Sequence, residues 1–150
     1  MDRLSPSRRS WNMAQIRGTN TKPELAVRSA LHRLGFRFRL RSYGLPGRPD
    51  VVLVRLRVAV FVHGCFWHRH RNCRFAYTPK NNAEFWSLKF ETNVNRDLRN
   101  QRALKRLGWR VLVVWECQST DPVVLARRLD ATLVRAAALG SRRAATRHGA

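Results

Sequence analysis

Two apolar runs, Val51–Val54 and Val58–Val62, are separated only by Arg55-Leu56-Arg57. So short a polar interruption has room for a tight turn and nothing more, so the runs read as an antiparallel β-hairpin. Neither run alternates with polar residues. The strands are therefore expected to be buried on both faces, with other elements covering each side. Antiparallel pairing outward from the turn brings Asp50 beside Val62 and His63. His63-Gly64-Cys65-Phe66-Trp67-His68 follows at once, so a carboxylate, imidazoles and a thiol gather at one sheet edge. Such a group makes a poor core and a good candidate for a reaction site.

The rest of the chain supplies the covering elements. Thr21 with Glu24 three residues on, and Pro23 between them, reads as a capped helix start. Val27, Leu31 and Leu34 form the stripe of that helix, and Gly35 ends it. Glu24 falls on the same inward side, where it serves either as a capping group or as a carboxylate near the sheet edge. Phe36–Arg41 alternates as a strand with one apolar and one cationic face. A loop-like stretch, Ala76–Asn82, leads to a long helix from about Ala83 to Leu107, ended by Gly108. Val111–Trp115 is a further apolar strand. Asp121-Pro122 opens a last helix with Val124, Leu125, Leu129 and Leu133 as its stripe. This order predicts an α/β domain over 21–139, a small mixed sheet flanked by helices as in the restriction-endonuclease-like fold. Residues 1–20 read as a basic arm that orders on a polyanion, and 140–150 as a flexible tail.

Thirty basic residues against nine acidic ones give a formal charge of +21. A field of that size speaks to partners rather than fold, and nucleic acid is the commonest polyanion. All the basic residues except Lys22, Lys80, Lys89 and Lys105 are arginine, the cation suited to bidentate phosphate contacts. A membrane-surface protein would need a long basic amphipathic helix with a spare apolar face, and none is evident outside the core-forming elements. No stretch is long and apolar enough to span a bilayer, and Met1–Pro6 lacks the apolar segment of an export signal. Three cysteines cannot all pair as disulfides, so reduced thiols in the cytoplasm, close to the nucleoid, are expected.

The cysteines also sit where a metal would use them. Cys65 and Cys73 bracket a histidine-rich loop, and Cys117 follows the strand Val111–Trp115. If that strand runs parallel to Val58–Val62, its end reaches the same sheet edge. Cys65, Cys73 and Cys117 with one histidine, His70 or alternatively His68, then compose a closed Cys3His zinc site, structural because it has no open position. Three buried free thiols are the plainer alternative, opposed by the polar, arginine-bearing loop around two of them.

Gly47-Arg48-Pro49-Asp50, His63-Gly64-Cys65-Phe66-Trp67-His68 and Trp115-Glu116-Cys117, in that order, resemble the very short patch repair (Vsr) mismatch endonucleases over roughly residues 9 to 130. Asp50, at the mouth of a strand, suits a magnesium ligand for phosphodiester hydrolysis. The acid and lysine of many nucleases with this fold are absent, since Val60–Val62 occupy those positions. The resemblance implies that the Val62 backbone carbonyl takes the second magnesium position. It assigns His70 to zinc and His68 to chemistry as general base or water activator, a task suited to a side chain that titrates near neutrality. It gives His63 a role in orienting metal-bound water, and makes Glu24 and Asp97 acidic partners. Without the resemblance, Asp97 reads as a surface ion pair with Arg96 or Arg99 beside a buried Leu98.

Phe66 and Trp67, in a loop with polar neighbours, read either as core rings or as a wedge that stacks against bases. A wedge unstacks DNA, and a mismatch makes that distortion less costly. The resemblance adds Trp86 to the wedge and places Met13 of the arm in the opposite groove. Arg8 and Arg9 of the arm are expected on phosphates, whereas Phe61, Trp109 and Trp115 read as core. The reading reached is a monomeric, magnesium-dependent enzyme that nicks 5′ to the thymine of a T:G mismatch, with other mismatch-repair proteins as further partners. The alternatives are a sequence-specific endonuclease on matched DNA and a non-catalytic zinc-stabilised nucleic-acid-binding module.

Overall fold

The computed structural model describes residues 20–40 and 44–147, the last seven by backbone only. The expected arm, with Arg8, Arg9 and Met13, lies outside the described residues. The elements in order are α1 (Lys22–Arg33), β1 (Arg39–Leu40), β2 (Val51–Leu53), β3 (Val58–His63), α2 (Ala83–Arg106), β4 (Arg110–Trp115), a 3-10 turn (Glu116–Gln118) and α3 (Pro122–Arg147). The four strands form one mixed sheet in the order β1-β2-β3-β4. β1–β2 and β2–β3 are antiparallel, while β3 and β4 run parallel with His63 opposite Trp115.

The period-two geometry of a strand explains why these runs are apolar throughout. Val51, Leu53, Val58, Val60 and Val114 face one side, where they pack with Val27 and Leu31 of α1 and with Leu125, Leu129 and Leu133 of α3. Val52, Ala59 and Phe61 face the other side, where they meet Leu104 of α2 and Trp109. The sheet is thus the middle of three layers.

Thr21 caps α1 by accepting the Glu24 N–H at 3.4 Å, while one Glu24 oxygen accepts the Asn20 N–H at 3.0 Å and an Arg28 guanidinium N–H at 3.3 Å. Asp121 caps α3 through the N–H groups of Val123 and Val124.

Four local expectations are corrected. Among its described residues the alternating Phe36–Arg41 stretch pairs only at Arg39–Leu40, against a β2 that is itself three residues long. Leu98 is 45% exposed and Val124 55% exposed. The inward face of α2 instead runs through Phe90 and Leu104, and that of α3 through Leu125, Leu129 and Leu133. The α3 backbone also stays helical past Gly140 to Arg147, through alanines and arginines that are strong helix formers.

Candidate active site

A cleft of about 790 Å³ opens where the C-terminal ends of β3 and β4 meet the middle of α2 and the start of α1. Its walls carry Glu24, Asp50, His63, His68, Asp97 and Glu116, with Arg48 and Arg96 as their cationic neighbours. Asp50 precedes β2, and the hairpin register sets it against the end of β3. One of its carboxylate oxygens accepts the Val62 N–H at 2.7 Å. Pro49 behind it is buried, so the approach of the chain to Asp50 is fixed from both sides.

The turn leading into this strand is equally constrained. Arg48 donates its N–H to the Leu45 carbonyl at 3.2 Å, with Pro46 and Gly47 as the central residues and Gly47 at φ +75°. That is the residue pattern of a type II turn. A Cβ at Gly47 would fall 2.8 Å from Cβ of Asn100, so only glycine lets the turn press against α2.

α2 presents a polar stripe to the cleft, Arg96, Asp97, Asn100 and Gln101, continuous with Asn93 one turn earlier. Asp97 Oδ2 lies 2.6 Å from His68 Nδ1. A carboxylate only accepts, so Nδ1 carries the proton, and in the neutral form of the ring Nε2 keeps a free lone pair. The His63 ring stacks on His68 with centroids 3.9 Å apart and planes 5° apart. Burial, and then the neighbouring His68 charge, push the His63 imidazole down to about 4, so it is neutral at ordinary pH. Nitrogens of both rings and an Asp97 oxygen lie within 4.8 Å of one another. Parallel rings direct their lone pairs side by side, whereas a metal needs them to converge at about 2.0–2.1 Å. The geometry favours proton handling there.

The second cluster differs. Cys65, His70, Cys73 and Cys117 also lie within 4.8 Å of one another, with His70 Nδ1 3.7 Å from Cys65 Sγ and 3.4 Å from Cys117 Sγ. Burial pushes the Cys65 thiol up to about 12, a preference for the neutral form that a bound cation would invert. Three sulfurs and an imidazole are the donor set of a structural zinc site. Of the two histidines open to this role in the sequence, His70 stands among the sulfurs, and His68 stands with Asp97. Trp115 was expected in the core. It is half-buried and stacks on His70 at 4.3 Å and 11°, holding the ring in place.

Phe66 and Trp67 are half-buried rather than fully exposed. Phe66 is the hub of an aromatic cluster, within 5.0–5.5 Å of Trp67, Tyr77, Trp86 and Phe90 by ring centroids. Arg69, which the sequence reading missed, ties this loop together. Its guanidinium donates to the carbonyls of Phe66, Ala76 and Tyr77 and lies 4.0 Å from the Phe90 ring centroid. Asn93, also missed, donates to the Trp67 carbonyl at 3.1 Å, fixing the loop to α2. An arginine in a strongly basic chain gives no sequence signal of such a role. The i, i+3, i+4, i+7 spacing of Asn93, Arg96, Asp97 and Asn100 does.

The family model for the DNA mismatch endonuclease Vsr matches residues 1–74. The type II nicking enzyme V.XorIIP of Xanthomonas oryzae pv. oryzae is 52% identical over 128 residues, 85% of this chain and 93% of that protein. The type II nicking enzyme V.NmeAIP of Neisseria meningitidis is 40% identical over 129 residues, covering 86% and 91%. The DNA mismatch endonuclease Vsr of Escherichia coli K12 is 46% identical over 109 residues, 73% of this chain and 69% of that protein.

Proposed function

Because the chain belongs to the Vsr family of DNA endonucleases, we propose that it nicks one strand of duplex DNA 5′ to the thymine of a T:G mismatch. The observation that carries this reading is one cleft holding Asp50 at the end of a β-hairpin beside the His68–Asp97 couple. The +21 charge supports a polyanionic substrate. Asp50 and the Val62 carbonyl are hard oxygen donors suited to magnesium. Bound there, the ion supplies charge neutralisation at the phosphate and a more acidic water.

The protein residues do the rest. His68 accepts the proton of the attacking water on Nε2, while Asp97 holds Nδ1–H and so the tautomer. His63, neutral and stacked on His68, fixes the plane of that ring. Glu24, held by Arg28 one turn along the helix, lines the α1 side of the cleft. The Cys3His cluster, loaded with zinc, anchors the loop between β3 and α2 and keeps Trp67 and Trp86 together on the DNA-facing side. A T:G pair is easier to unstack than a matched pair, and rings at that position turn the difference into selectivity.

The test is a nicking assay with magnesium on otherwise identical T:G and T:A duplexes. Cleavage confined to the thymine strand of the T:G duplex is expected. Equal cleavage of both duplexes points to a site-specific nicking enzyme on matched DNA. Binding without cleavage of either leaves only a nucleic-acid-binding module.

A further inference from the structure

Arg48 is held in a conformation that its own chemistry disfavours. Its φ is +48°, the left-handed region, which is costly for a residue with a Cβ and rarely adopted outside glycine, asparagine and aspartate. It also precedes Pro49, a position that normally forces extended backbone. The surroundings impose this: Gly47 is pressed onto Asn100 of α2, and Pro49 is buried against the core. A glycine at position 48 would relieve the strain. Strain of this kind persists at functional sites when the side chain is needed where the backbone puts it.

The side chain lies in the wall of the cleft with Asp50, His68 and Asp97. Among the described residues its guanidinium has no hydrogen-bond or ion-pair partner, although Asp50 is two residues away. Arg96, the other cation lining the cleft, donates to Asn93 Oδ1 at 3.3 Å. Among the described residues Arg48 is thus the cleft cation left uncommitted, in a chain where Val60–Val62 leave no lysine at the end of the hairpin to meet the phosphate.

We propose that Arg48 binds the non-bridging oxygens of the phosphate being cut, supplying from the turn before β2 the positive charge that many nucleases carry on the next strand. A guanidinium does this with two parallel N–H donors, a geometry lysine cannot reproduce. The proposal rests on the nuclease reading above, and its test separates the two.

Binding of T:G duplexes is measured with calcium replacing magnesium, so that the result does not depend on cleavage. Each duplex carries a single uncharged methylphosphonate, scanned across both strands. Arg48→Ala should bind the all-phosphate duplex five- to tenfold more weakly than wild type. That difference should vanish for one methylphosphonate only, at the phosphate 5′ to the mismatched thymine. Arg102→Ala, on an exposed part of α2, should show no such position. Arg48→Gly should melt at or above the wild-type temperature yet nick at least tenfold more slowly, and Arg48→Lys should not restore the rate. A loss spread evenly over all positions, coupling at a different phosphate, or a lower melting temperature for Arg48→Gly overturns the inference. Failure of the wild type to nick any duplex refutes the nuclease reading instead, while the binding scan still decides what Arg48 touches.

Discussion

Replacing Asp97 by Asn isolates the proton relay from everything else in the cleft. The carboxylate lies 2.6 Å from His68 Nδ1, and its charge fixes the tautomer that leaves Nε2 free. The amide is nearly the same shape, so packing is kept while the charge and the obligatory acceptor are lost. General-base catalysis contributes about 10²–10⁴ in rate, and the equivalent replacement in a serine-protease triad costs about 10⁴. Here the His68 and Asp97 side chains are 23% and 15% exposed, so water competes as a partner and softens the loss. The expected fall in single-turnover nicking is therefore about 10²–10³. Affinity for a T:G duplex should be unchanged or slightly higher, because a negative charge has been removed beside DNA, and zinc content and melting temperature should match wild type. Nicking within threefold of wild type would show that His68 needs no carboxylate and that the contact is structural.

Four further outcomes are expected. Purified protein should carry about one zinc per chain, and Cys117→Ser should lose it and melt at least about 10 °C lower; elemental analysis finding no zinc in active protein ends that assignment. Asp50→Asn should abolish magnesium-dependent nicking while retaining DNA binding, as read by gel shift beside the cleavage assay. For His63 the sign runs against acid: its folded value, about 4, lies below the ordinary 6.5, so the native state resists protonation. Stability from this group is complete above about pH 6.5 and is lost as pH falls toward 4, by up to roughly 3 kcal/mol. His63→Asn should flatten that part of the melting-temperature profile relative to wild type. Trp67→Ala should lower the T:G over T:A preference by about 1–3 kcal/mol without changing the salt dependence of binding, whereas Arg8 and Arg9 changed together to Ala should reduce the log–log salt slope by about 2 for both duplexes.

Much of this architecture was legible because burial on two faces leaves an unmistakable mark. Val51–Leu53 and Val58–Val62 could only be central strands, and Asp50 had to meet the end of the second. The parallel placement of Val111–Trp115 was needed to bring Cys117 toward Cys65, and the metal-capable residues themselves suggested it. Where the reading slipped, the signal was averaged over too few residues. On α2, Leu98 drew attention as the large apolar neighbour of Asp97, yet Phe90 and Leu104 are the inward pair. Fourteen residues separate them, four turns of helix, and Asp97 lies midway on the same face. A stripe that is apolar at its ends and polar in its middle is what a helix shows when it crosses from a core onto a cleft. Arg48 and Arg69 were invisible for a different reason: their roles come from backbone conformation and from carbonyls in a loop that leaves no periodic trace.

The two clusters at the sheet edge are tied to each other by topology. β3 and β4 run parallel, so their C-terminal ends coincide, and each then sends residues to both sites. From β3, His63 turns into the cleft and Cys65 to the sulfur cluster. From β4, Trp115 stacks on His70, Glu116 lines the cleft and Cys117 returns to the sulfurs. Strand geometry ends at His63 and at Trp115, where a turn and a 3-10 turn follow, so successive residues can divide between the two sites. The loop from Gly64 to Asn82 has no regular strand or helix of its own, yet it must hold His68 within hydrogen-bonding distance of Asp97 and keep Phe66 in its ring cluster. Cross-linking that loop to β4 through a metal removes the freedom that a core of this size leaves it. Losing zinc should therefore lower the nicking rate through misplacement of His68 while the sheet itself persists. Magnesium titrations of zinc-depleted protein should show a lower maximal rate with a nearly unchanged midpoint, since Asp50 is held by the hairpin and not by the loop. A shifted midpoint with an intact maximal rate would place the zinc's influence on Asp50 and refute this division of labour.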